Sequence, residues 1–181
     1  MAPIIDHGAE EAARHGLVRS AHWPGVERAF KATSPYCAAC DASNPVDHTG
    51  IQVHHIAPFH FCIAAGRPDL ELDPRNLISL GETEHNAPAP NHHLLLGHLD
   101  DFKSYNLNVA TDCETFRGMS TAEIEADSQW AATELARPLD EITPDELAAF
   151  RSMLDAALPP NPAILDKYGL TLVPRAVGLQ R

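Results

Sequence analysis

The stretch Ile51-Gln-Val-His-His-Ile56, followed by Asp73-Pro-Arg-Asn76-Leu-Ile-Ser-Leu80 and then by His85, decides how this chain is read. Ile51, Val53 and Ile56 give the first segment the β-branched content of a short strand, and Asn76–Leu80 reads as a second one. Between them, residues 57–75 carry Pro58, Gly66-Arg-Pro68 and Asp73-Pro74 and read as a loop long enough to be functional. Downstream, Asn91 is a helix N-cap, with Leu95, Leu99 and Phe102 on one face of a helix expected over 91–102. Upstream, Pro24 opens a helix to about Ala32, and Ser34-Pro35 closes it. A short Ala-rich helix is expected over 7–17. The spacing thus predicts an α+β fold: a small strand–loop–strand–helix unit with helices on either side.

Two adjacent histidines on a strand point to opposite faces, so His54 and His55 can do different work. Hydrolysis of a phosphodiester needs a base near neutrality, which imidazole supplies. It also needs a cation to stabilise charge on the phosphate and the leaving oxygen. The order His-His, Asn-Leu-Ile and a His nine residues after the Asn resembles the HNH endonucleases, the ββα-metal nucleases, over roughly residues 36–106. The resemblance implies that His54 binds metal, His55 is the general base, Asn76 restrains the loop that orients that base, and His85 completes the metal site. His92, His93 and His98 follow closely, and His93 stands as the alternative to His85. None of them pairs with another at i+4, and His98 is expected to pair with Asp101 at i+3. One divalent ion is implied, Mg2+, Mn2+, Ni2+ or Zn2+. Arg67 and Arg75 flank the site as candidate phosphate contacts.

Cys37 and Cys40 form a C-x-x-C pair; the start of the sequence does not resemble a secretory leader, and in a chain expected not to be secreted such a pair reads as metal or redox chemistry. Many HNH proteins hold a structural zinc with two such pairs, but Gly81 and Glu84 stand where the second pair would fall. Zinc takes four ligands. Cys62, His48 or His60 would have to complete the set, so the expectation is two reduced thiols and no structural zinc.

The net charge is −12, and residues 22–110 alone hold five basic against ten acidic side chains. Affinity for nucleic acid usually rests on Lys and Arg, so the charge opposes the motif. The expectation is an endonuclease cutting nucleic acid, DNA by preference, with a protein partner as a possible source of affinity. The alternatives are a catalytically degenerate binding or regulatory module on the same fold, and a metal-dependent hydrolase of small phosphoesters. No apolar run reaches the ~20 residues that span a bilayer, and a cytoplasmic location is expected. All eleven histidines precede residue 99, which divides the chain into an N-terminal helical segment (1–33), the HNH-like core (34–110) and a His-free extension (111–181). In that extension Ser120-x-x-Glu123 and Thr143-x-x-Glu146 are capping boxes opening helices over 121–136 and 144–157. An extended arm is expected over 161–181.

Overall fold

The computed structural model describes residues 13–40, 48, 50–83, 90–138 and 142–173, and shows an α+β fold around one two-stranded antiparallel sheet. The helix expected over 7–17 falls largely outside those residues, as does His85. Helix α1 (Trp23–Thr33) starts on Pro24 and buries Trp23 and Val26. Strand β1 (Gly50–His55) pairs with β2 (Leu77–Glu82), with His54 opposite Ile78 and His55 opposite Leu77. A two-stranded hairpin alone is marginal in water, and here helical elements cover both faces. Trp23 and Val26 pack with Val53, Leu72 and Leu77 on one face. Leu95 and Leu96 pack with Leu80 on the other.

The connection between the strands is not the bare loop the sequence suggests. It contains α2 (Phe59–Ala64) and two 3-10 turns, Pro68–Glu71 and Pro74–Asn76. Phe61 and Cys62 of α2 bury against Leu70 and against Phe150 and Leu154 from the C-terminal part. At six residues α2 is too short to display a helical period, so its apolar run is legible only as core.

The helix expected over 91–102 stops early. Asn91 caps it, its Oδ1 accepting from the Leu94 N–H at 3.0 Å. Residues His93–Gly97 then form a π-helical turn. Leu99 and Asp100 follow at φ 50° and 61°, two consecutive side-chain-bearing residues in the left-handed region that turn the chain sharply away.

Beyond it lie α3 (Val109–Thr115), α4 (Thr121–Glu125), α5 (Ser128–Leu135), α6 (Pro144–Ala157) and α7 (Pro162–Tyr168). Both capping boxes form as expected. The single helix expected over 121–136 is two, because the Asp127 carboxylate accepts from the Gln129 and Trp130 N–H groups and caps a new start. Part of the expected arm is α7, capped by Asn161 and ended by Gly169 at φ 61°. No helix among the described residues is long and apolar enough to cross a membrane.

Candidate metal centre

His54 is the last residue but one of β1, and its side chain faces the π-helical turn. That turn brings His93 and His98 to it. Both are buried, as is His54. The three rings stand edge-on to one another, with centroids 5.4 Å (His54–His93), 5.0 Å (His54–His98) and 5.0 Å (His93–His98) apart. One nitrogen from each lies within 4.8 Å of the others, a group that could hold a metal ion. In an ordinary α-helix residues five apart diverge, since 3.6 residues make a turn. The wider π-helical turn brings them back onto one face, and such turns recur at functional sites. The i+4 rule therefore does not find this pair.

Three features fit these imidazoles to a cation. Burial, and then the neighbouring His98, His93 and His55 rings, hold His54 well below the ordinary imidazole range, so it is neutral and able to donate a lone pair. His54 Nε2 is buried with no hydrogen-bond partner among the described residues. The His98 Nδ1–H donates to the Ser104 carbonyl at 2.9 Å, which fixes that ring and directs its Nε2 inward. His98 is thus a member of the cluster; Asp101 donates its backbone N–H to the His98 carbonyl at 3.0 Å, and its carboxylate faces Arg137 at 3.9 Å. Close approach of the turn depends on Gly97: a Cβ there would lie 3.2 Å from His54 Cε1 and 3.1 Å from a Leu80 methyl.

His55 points to the other face, against Trp23, with ring centroids 4.6 Å apart. Its Nε2–H donates to the Glu71 carbonyl at 3.0 Å, which leaves Nδ1 as the basic nitrogen. Asn76 fixes the segment that bears this carbonyl. Its Oδ1 accepts from the Ala57 N–H at 2.8 Å, and its Nδ2 donates to the Ala57 and Leu70 carbonyls, each at 3.0 Å. His54, His55, His93 and His98 all line one cavity of about 670 Å3.

Arg67 and Arg75, expected beside phosphate, line no part of that cavity. Arg67 is fully buried and makes two hydrogen bonds to Asp69 (2.9 and 2.7 Å), one to Asp155 (2.9 Å) and one to the Leu158 carbonyl (2.9 Å). Arg75 pairs with Asp73 at 2.6 Å. The basic residues that do line the cavity are Arg14, Arg19 and Lys103, with Glu27, Asp100 and Asp101 beside them. Arg14 and Arg19 come from the segment before α1, where the sequence carries no motif.

A second group joins Cys37 and Cys40 to His48 and His92, again with one ligand atom each within 4.8 Å. The expected two-ligand remnant is a four-residue set. Of the residues expected to complete it, His48 belongs to the group and Cys62 and His60 do not, and His92 supplies the fourth member. Burial, and then His48, push the His92 imidazole down to about 4.

Comparison with protein-family models, with curated proteins and with solved structures gave no match.

Proposed function

We propose that this chain is a metal-dependent phosphodiesterase of the HNH type that cleaves nucleic acid. The observation that carries the reading is His55, oriented by the Glu71 carbonyl, on the same cavity as three converging imidazoles. A divalent cation held by His54, His93 and His98 would stabilise negative charge on the phosphate and on the departing oxygen. Three imidazoles favour a borderline metal such as Zn2+ or Ni2+ over Mg2+, which prefers oxygen ligands.

In this reading His55 Nδ1 takes a proton from a water in the cavity as the water oxygen attacks phosphorus. The P–O bond to the leaving group breaks, and the departing oxygen takes a proton from solvent. Trp23 and the Glu71 carbonyl fix the orientation of the His55 ring. Asn76 acts one step back by fixing the segment that carries the carbonyl.

The net charge of −12 favours a second reading, a binding module that meets nucleic acid only through a protein partner. Nicking of supercoiled plasmid at low salt separates the two. The wild type should cut with Zn2+, Ni2+ or Mn2+ and poorly with Mg2+. His55→Ala should lose at least the ~100-fold that a general base contributes while binding metal as before. No cutting with any metal would move the weight to the binding module, and normal cutting by His55→Ala would remove His55 from the base role.

A further inference from the structure

Cys37 and Cys40 from one turn, His48, and His92 from the start of the π-helical turn come together beside the core that holds Leu80 and Leu95. Cys37 Sγ lies 3.3 Å from His92 Nδ1, Cys40 Sγ 2.9 Å from His48 Nε2, and Cys40 Sγ 3.8 Å from His92 Nδ1. With Zn–S near 2.3 Å and Zn–N near 2.0 Å, a tetrahedral site sets S···N edges of about 3.5 Å. The three S···N separations bracket that value, and all four ligand atoms lie within 4.8 Å of one another, so two thiols and two imidazoles are gathered at the scale of a zinc site. The backbone makes room for it. A Cβ at Gly81 would overlap Cε1 and Nε2 of His48, so glycine at this β2 position admits the imidazole to the cluster.

We propose that these four residues hold a structural Zn2+, separate from the cation at His54, His93 and His98. Loading deprotonates both thiols, so each Zn2+ bound releases two protons to the buffer. The four-ligand set is closed and leaves no position for water or substrate, the mark of a structural site. Its role follows from one juxtaposition. His92 enters this cluster, and its chain neighbour His93 enters the other. The zinc would hold the start of the π-helical turn against the 37–40 turn, and so fix where His93 and His98 stand.

Zinc content of the purified full chain after extensive dialysis, together with the absorption of the cobalt-loaded protein, tests this. Expected is one firmly held zinc equivalent that remains in the His93→Ala/His98→Ala double variant. A thiolate-to-cobalt charge-transfer band with tetrahedral d–d intensity should appear in both proteins. Cys37→Ser/Cys40→Ser should lose the band. Should that variant fail to fold, His48→Ala removes one ligand without adding bulk. It should weaken zinc binding by more than the roughly 10–100-fold that loss of an outer partner costs. Absence of the band in the wild type, its loss in His93→Ala/His98→Ala, or unchanged zinc affinity in His48→Ala would each overturn the proposal. None of these readouts depends on cleavage, so the nuclease reading stands or falls separately.

Discussion

Asn76 illustrates how one side chain sets the site without touching it. Its amide is fully buried and satisfies three backbone groups, at Ala57 and Leu70. Removing it leaves buried donors and acceptors without partners, each worth about 1–3 kcal/mol. Asn76→Ala should therefore lose about 2–3 kcal/mol in urea unfolding, and a neutral result would show that the segment is held by other contacts. Asp73, three residues earlier, gives a pH signature. Burial alone would raise its carboxyl, but the Arg75 side chain, the Arg75 N–H and the Arg75 charge together take it below the ordinary carboxylate range. A depressed folded pKa means that its contribution is full above the unfolded value of about 3.9 and is lost as pH falls through the folded one. Asp73→Asn should thus be less stable than wild type at neutral pH, with the gap closing below about pH 4. A gap that stays constant into acid would assign the effect to the turn geometry alone.

Among the elements, the π-helical turn matters most, and Gly97 is its test. Replacing a helical glycine by alanine ordinarily adds up to about 1 kcal/mol of stability. Here the new methyl would press on His54 and Leu80. Gly97→Ala is expected to weaken metal binding at the three-histidine cluster roughly 10-fold, the scale of an outer-sphere perturbation, as read by metal titration. Unchanged affinity would mean that the turn has slack. This element also marks where the sequence stopped being readable. The two strands, the helix opened by Pro24 and both capping boxes follow from local rules, and each forms within one or two residues of where those rules put it. Pairing His93 with His98 needs a helix of the wrong period, and a 3.6-residue periodicity cannot reveal it. His92 joins Cys37 and Cys40 while its neighbour His93 joins His54, and nothing in the sequence says which way a residue turns at the first turn of such a helix. Arg67 reads as available because it stands alone among neutral and acidic neighbours. Asp69 is two residues away, but its other partners, Asp155 and Leu158, are far along the chain and beyond any local rule.

The same guanidinium joins the two ends of the molecule's organisation. Arg67 is enclosed between Asp69 in the strand connection and Asp155 on α6, and the adjacent core pairs Phe61 with Phe150 at 5.4 Å between ring centroids. The His-free extension is therefore built into the core that carries the Asn76 segment. Arg67→Ala would leave the buried Asp69 carboxylate without its counter-charge, and breaking a buried pair in this way costs about 3–5 kcal/mol. The loss should appear in the whole unfolding transition and not in a separate early phase for the C-terminal helices, followed by circular dichroism during urea titration. A separate early phase would show that the extension folds on its own. Arg67 and Asp155 are 88 positions apart in sequence. During synthesis, the strands and their histidines leave the ribosome well before the acid that completes Arg67's set of partners. Chains generally gain structure from the N-terminal side as they emerge, yet this core cannot close until residues 155–158 arrive. The candidate metal clusters would thus take their final form only once residues 155–158 have emerged.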